Sequence, residues 1–440
     1  MLARVWTFTA LLVVAMALPT LAHAGTFDVK AATDTYLATV TGAARAKSDA
    51  YFEGGYWLIL WDALVTIGAA LLLLFTRAST GIRNLAERLV PWRWLQTLIY
   101  GVLFVIAFTV LTFPMTLYEG FYREHAYGLS NMSMPDWLTD QAKGLLIGII
   151  QTAIIFPLVY AAIRAFPRSW PLFATAITSA FIILGVLVAP VFIDPMFNTY
   201  KPMDDGPLKE SILSLARANG VPAQQVFQVD ASRQSDRISA NVAGFLGTTR
   251  IALNDNLLRR ASPAEVKAVM GHEMGHFVLN HLIKFVIYTT LVFGVGFLLA
   301  GWGFGVLHSL FGGVWGVRDI GDQAGFPILL ILFTIFSLLA TPLSNSIIRE
   351  NESQADIFGL NAVREPDAFA TAILKLAEYR KLDPTPLEEI VFYDHPSGRT
   401  RVHMAMQWKA EHLNELPSTP TAPATEPPPQ GPEPDQVPVP

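Results

Sequence analysis

The chain has 440 residues, of which 52% are apolar and only 15% charged, against about 25% charged in soluble domains. A mean hydropathy of +0.39 and a net charge of −5 exclude an ordinary soluble enzyme, a disordered chain and a nucleic-acid binder with a basic footprint. There is no cysteine, so disulfides, thiol nucleophiles and thiolate metal sites are excluded, and any metal must be held by His, Asp or Glu.

In chain order, Arg4 precedes an apolar run from Val5 to Leu18, and Ala22-His23-Ala24 offers a small-x-small cleavage site. Residues 1–24 read as a secretory signal peptide, with an uncleaved signal anchor as the alternative. Six later segments can each cross a bilayer, which needs about 20 apolar residues. They lie near 56–75, 95–118, 144–163, 170–193, 285–305 and 326–347. Four thus fall in 25–193 and two in 283–347. Trp57, Trp61, Trp94 and Trp170 sit near span ends, as interfacial aromatics do. Asp62 is the charge well inside a span. It marks either a water-filled interior or a position wetted by the interface.

Six spans alternate sides, which sorts the loops into two sets. One set is short and basic, with Arg77, Arg83, Arg88, Arg93, Arg164, Arg168 and Arg318. The other holds 119–141, the long stretch 194–281 and everything after Ile348. The positive-inside rule puts the first set in the cytoplasm and the second outside an inner (plasma) membrane. A cleaved leader agrees with that orientation.

The stretch 194–282 reads as a soluble α/β segment. Pro207–Ala218 has helical spacing and stops at Asn219-Gly220. Val226–Val229 and Arg250–Leu253 read as short strands, and 241–247 between them as an edge strand. Ser262-Pro263-Ala264-Glu265 is a capping box with Pro at the first helical position. The helix it opens is expected to run straight into the fifth span. After the sixth span, 348–416 carries another helix over 350–361. The Pro-rich tail 417–440 has no apolar period and reads as disordered.

The chemistry concentrates in His272-Glu273-Met274-Gly275-His276. Spacing i, i+4 puts the two imidazoles on one helical face, one turn apart, where both can bind one Zn²⁺. Glu273 is turned about 100° away and can reach a zinc-activated water, whose pKa the metal lowers toward ~7. The bland alternative is a helix with solvated histidines, but two of only nine His falling here beside Glu273 favours function. A catalytic zinc needs a third protein ligand. Glu352 and Asp356 are spaced i, i+4 on the later helix, so one can bind metal while the other accepts from a ligand His. Glu350, on a different face, competes with Glu352; spacing favours Glu352. Arg349 is placed either as a partner of Asp356 or Glu352 or as an interface residue. His395, in Tyr393-Asp394-His395-Pro396, can donate to a developing oxyanion, with Arg401 holding the segment; a lone loop His is otherwise a surface residue. His281 lies about 180° around the same helix from His272, so it is not expected as a ligand.

These residues resemble the type I CAAX prenyl proteases, integral-membrane zinc metalloproteases. The resemblance spans about 50–408. It rests on His272 through His281, Asn351-Glu352-Ser353-Gln354-Ala355-Asp356, Arg250 through Leu258, Ile193 through Asn198, and Gly128-Leu129-Ser130-Asn131 with Asp140 and Lys143. It implies a mainly α, multi-pass membrane protein: a ring of transmembrane helices around a water-filled chamber, capped by a small α/β zinc metalloprotease domain. It implies one zinc per chain on His272, His276 and Glu352, with Glu273 as base and Asp356 supporting a ligand or donating a proton. His395 and Arg401 match the family's oxyanion and site-supporting residues. Asn241, Val242 and Ala243 fall where the family has a substrate-pairing edge strand.

The implied partners are the lipid bilayer and a peptide or membrane-associated protein substrate, prenylated or not, with no nucleic acid. Three departures stand out: a leader replaces the first span, the charges put the zinc domain outside, and Ser353 and Ala243 replace usual aromatics. The related heat-shock membrane proteases suggest a quality-control role as the alternative. A non-catalytic chamber or transporter with structural zinc is the other, and it fits poorly with only three visible ligands.

Overall fold

The computed structural model describes residues 27–244 and 249–416. The signal peptide expected over 1–24, the end of the expected edge strand and the tail at 417–440 lie outside the described residues.

Among the described residues, six helices are long and apolar enough to cross a membrane, and the protein is a multi-pass membrane protein. After a short helix α1 (Val29–Leu37) come α2 (Gly42–Phe75), the amphipathic α3 (Ala78–Leu89) and α4 (Arg93–Leu117), which a π-turn carries on to Ala126. Then come α5 (Met134–Ala165) and α6 (Trp170–Val188), which continues to Phe197. Two more spans, α10 (His281–Trp315) and α11 (Phe326–Val363), follow the sheet. Pro114, Pro157 and Pro342 lie inside spanning helices, where neighbouring helices can satisfy the freed carbonyls. Packing runs α2–α4–α5–α6–α10–α11 and back to α2, a closed ring. No more than 28% of the most apolar stretch of any spanning helix is buried. The helices therefore pack side to side around the ring and leave most of each apolar stretch uncovered.

The loops separate as their charges suggest. At one end, Arg83 Nη1 donates to Asp322 Oδ2 at 2.5 Å, Arg164 reaches Gly321 O and Gln323, and Arg318 forks onto Glu87. At the other end sits the α/β domain. Its four-stranded sheet has β1 (Tyr200–Pro202), β2 (Val226–Val229), β3 (Ala240–Ala243) and β4 (Arg250–Asn254) in the order β1-β2-β4-β3. The β2–β4 pair is parallel and the others antiparallel. Helix α7 (Pro207–Ala218) ends where Gly220 takes φ +72, as the Asn-Gly signal indicates. Short α8 (Asp255–Arg260) and then α9 (Pro263–Val278) follow β4. Ile212, Val226, Ile251, Val266, Met270 and Met274 form one core between α7, the sheet and α9. A second core joins α1 to α12 (Pro366–Leu376) and α14 (Gly398–Glu411), with α13 (Pro386–Phe392) between these two in the chain. Asn131 and Asp140 tie the ring to the domain through Ser232, Asp236, Arg233 and Gln234.

Two expectations need correction. The capped helix does not run into the fifth span: α9 ends at Val278, and Asn280 adopts a left-handed φ of 56 before α10 begins. Asn tolerates that conformation better than most residues. Conversely, the sixth span and the helix expected at 350–361 are one continuous helix, α11.

Candidate metal centre and active site

The capping box forms as its sequence indicates. Ser262 Oγ accepts from Glu265 N at 3.3 Å and Glu265 accepts from Ser262 N at 2.6 Å. The helix α9 that it starts lies backbone-to-backbone on α11. A Cβ on Gly275 would stand 3.0 Å from Ala355 Cα, and one on Gly359 2.8 Å from His272 N. Gly271 faces Gly359 and Val363 in the same way. Small residues at i, i+4 on both helices, Gly271/Gly275 and Ala355/Gly359, therefore permit the close approach. That stripe is a signal the sequence carries and that periodicity alone does not reveal.

The close approach brings three ligand-type side chains to one point. Among the described residues, His272, His276 and Glu352 form a group whose ligand atoms lie within 4.8 Å of one another. His272 Nε2 is 3.1 Å from His276 Nε2 and 3.3 Å from Glu352 Oε2; His276 Nε2 is 3.4 Å from Glu352 Oε1. Ligands about 2.0–2.1 Å from a tetrahedral zinc stand about 3.3 Å apart, so the triangle has the size of one face of that coordination. Glu352 Oε2 is buried without a hydrogen bond, although His272 Nε2 and His395 Nε2 each come within 3.3 Å of it. These contacts have ion-pair length but lack hydrogen-bond alignment. A buried carboxylate oxygen left so among imidazoles suits a cation. Glu350 points away, exposed, and accepts from Gln354 Nε2 at 2.9 Å.

Each imidazole is held from behind. Asp356, fully buried, lies 2.7 Å from His272 Nδ1 and takes a two-pronged contact from Arg401: Nε at 2.8 Å and Nη2 at 2.5 Å. Burial pulls the His272 pKa down, but Asp356 and Glu352 outweigh it and raise it to about 10. With Nδ1–H donated to Asp356, Nε2 is the nitrogen that faces the triangle. Arg401 borders the adjoining cavity, yet its guanidinium is buried and committed to Asp356. Behind the other imidazole, His276 Nδ1 lies 2.9 Å from His281 Nδ1. The helix break swings His281 round: it stays outside the ligand triangle but touches a member of it, a contact the helical-wheel reading missed.

Glu273 lines a cavity of ≈180 Å³ with apolar walls that include Ile238, Val269, Ile373 and Leu376. Burial raises its carboxyl above the ordinary range, against the pull of the two imidazoles. His395 borders the same cavity. Its Nδ1 lies 2.8 Å from Asp394 Oδ1 and its Nε2 faces Glu352. Burial pushes Asp394 up, but His395 and Arg380 bring it below the usual carboxylate range. Arg349 pairs with neither carboxylate offered to it. Its Nη1 donates to Glu389 O at 2.6 Å and Tyr393 O at 2.5 Å. It thus satisfies the last carbonyls of α13 and fixes the segment that presents His395. Asn241, Val242 and Ala243 lie on β3, the sheet edge beside α9. Asn254 N donates to Ser239 O at 3.0 Å, which sets the phase. Asn241 and Ala243 turn their amides to β4, while Ala240 and Val242 turn theirs to the open edge.

A ring of membrane helices carrying a two-His, one-Glu cluster beside a cavity and an open strand defines a membrane metalloprotease. The comparisons identify its family. Residues 202–409 match peptidase family M48, and residues 31–199 match the CAAX prenyl protease N-terminal family, described as five membrane helices. The chain belongs to peptidase family M48. The uncharacterized metalloprotease YhfN of Bacillus subtilis is 30% identical over 345 residues, covering 76% of this chain and 78% of that one. CAAX prenyl protease 1 of Saccharomyces cerevisiae is 30% identical over 323 residues, covering 67% and 68%. The crystal structure of S. mikatae Ste24p shares the fold, with a TM-score of 0.70 at 24% identity over 86% of this chain and 94% of that one.

Proposed function

We propose that this metalloprotease is a zinc-dependent endopeptidase for peptides and membrane-associated proteins, with one zinc held by His272, His276 and Glu352. The observation that carries this reading is the ligand triangle, sized for zinc and bordered by an apolar cavity and a strand edge. Zinc held there lowers the pKa of water toward ~7 and polarises a carbonyl. Glu273 accepts the proton from the attacking water and returns it to the departing amine. His395, with Nδ1–H committed to Asp394, donates from Nε2 to the developing oxyanion in its protonated form. Asp356 and Arg401 keep His272 in the metal-facing tautomer, with Arg401 also at the substrate cavity. Extended substrate adds to the sheet along Asn241, Val242 and Ala243, exchanging hydrogen bonds with the outward amides of β3.

The organisation we propose is a leader at 1–24, a four-span region at 25–193, zinc-domain parts at 194–282 and 348–416 around two spans at 283–347, and a tail at 417–440. We place the zinc domain outside the inner membrane. Two features support this: the arginine-rich loops gather at the opposite end, and α1, which follows the leader, packs on the zinc domain. Asp34 there pairs with Arg399 at 2.8 Å and Tyr36 donates to Asp367 at 2.6 Å.

The substrate test uses purified full-length protein and matched peptides, one farnesylated and one bare. Cleavage of both, abolished by a chelator, is expected of a general endopeptidase. A strong preference for the farnesylated peptide assigns prenyl processing. Cleavage of neither by zinc-loaded protein would overturn the proposal.

A further inference from the structure

We infer that His281 is a positioning residue for the metal ligand His276, acting through a relay of fixed tautomers; this rests on the ligand set proposed above. His276 presents Nε2 to the triangle, so its proton sits on Nδ1. Its neighbour 2.9 Å away is His281 Nδ1. That nitrogen must therefore accept, which places the His281 proton on Nε2. His281 Nε2 lies 3.3 Å from Gln354 Oε1, an oxygen that also accepts from Lys284 Nζ at 2.9 Å. Gln354 Nε2 donates in turn to Glu350 Oε1 at 2.9 Å. Every member has the acceptor or donor its neighbour needs, and the relay runs in one phase only.

The fold is arranged for this contact. The left-handed Asn280 ends the first helix and restarts the next at His281. A continuous helix would carry position 281 well round from the face that bears position 276. His281 is only 5% exposed, so the ring is fixed by packing as well as by its two hydrogen bonds. The two ligand imidazoles thus have different supports. His272 leans on a carboxylate, which adds negative charge beside the metal. His276 leans on a neutral imidazole, which orients it without adding charge. Both kinds of support fix the ligand's rotamer and tautomer before metal arrives.

The test measures zinc affinity of the full-length protein in micelles by competition with a chromophoric chelator. His281→Phe keeps the ring volume but removes the acceptor, and zinc binding is expected to weaken about 10–100-fold. His281→Asn places an amide oxygen near the Nδ1 position and is expected to restore most of the loss, which a merely structural role would not produce. Phe binding zinc like the wild type, or Asn no better than Phe, would overturn the proposal. If His281→Phe does not fold, Gln354→Leu decides at the half-exposed end of the relay. A loss under about tenfold supports the relay, and unchanged affinity overturns it. His276→Ala separates the two levels. Zinc kept in His276→Ala would strike the ligand set and His281 with it; zinc lost there but kept in His281→Phe would overturn the His281 proposal alone.

Discussion

Opposite ends of the ring each bury an aspartate against an arginine, and only one of these pairs borders chemistry. At the arginine-rich end, Asp322 takes Arg83 Nη1 at 2.5 Å, Arg318 N at 3.0 Å and Ala324 N at 3.1 Å. Arg83 spends its other donors on Asn84 and Gly316 O. The network closes on itself and locks the turn between α10 and α11. At the α/β-domain end, Asp356 takes Arg401 with equal commitment, but it also takes His272 Nδ1. The far nitrogen of that imidazole opens onto Glu352 and His276. A buried ion pair is therefore no mark of a site in itself. What separates the two is where the hydrogen bonds stop: at a backbone amide, or at a ligand atom facing a cavity.

The comparison can be broken at several points. His395 Nε2 lies beside Glu352 without a hydrogen bond and borders the cavity, so His395→Ala should slow peptide cleavage about 10²–10³-fold at unchanged zinc content. Steady-state kinetics with metal analysis checks this, and a loss of zinc would reassign His395 to the ligand set. Asp356→Asn and Asp322→Asn test the pairs against each other. Both leave a buried arginine poorly compensated, at a cost of about 3–5 kcal/mol, visible as lower thermal midpoints in micelles. Asp356→Asn alone should also weaken zinc binding, about 10–100-fold. Equal zinc affinities in the two variants would erase the distinction drawn here.

The smallest effect is expected at Glu265. Burial pushes this carboxyl up, but Lys375 Nζ at 2.7 Å and the Ser262 amide bring its pKa below the ordinary value. A carboxylate whose folded pKa is depressed adds stability that is complete above its unfolded pKa and is lost as pH falls through the folded one. Glu265→Gln should therefore cost about 1–3 kcal/mol at neutral pH. The gap in thermal midpoint between wild type and variant should close below about pH 4. A gap independent of pH would contradict the assignment.

The contrast between local and distant information explains what was legible. The six spans, the strands at 226–229 and 250–253, the helix stop at Asn219-Gly220 and the capping box are all written in short windows. So is the placing of His272 and His276 on one face. Helical spacing only favoured Glu352 over Glu350, and the family resemblance implied the choice. Two features depend on partners far away in the chain, and a third on a local break in a helix. Arg349 had carboxylates nearby in sequence, yet its donors went to carbonyls of α13. Helix α1 has no local mark of its docking, because Thr33 and Leu37 are buried only by α14 and its neighbours. His281 stays outside the ligand triangle, as the helical wheel expected, but its contact with His276 was not legible, because it arises at a break in the helix and a left-handed Asn280 leaves little trace in apolar periodicity.

In the proposed mechanism Glu273 moves the proton at a zinc held by His272, His276 and Glu352. The most direct measurement compares wild type with Glu273→Gln, recording zinc per chain and the single-turnover rate on one cleavable peptide. About one zinc per chain is expected in both, with a rate at least about 10²-fold lower in the variant. Wild-type cleavage by zinc-loaded Glu273→Gln would contradict it.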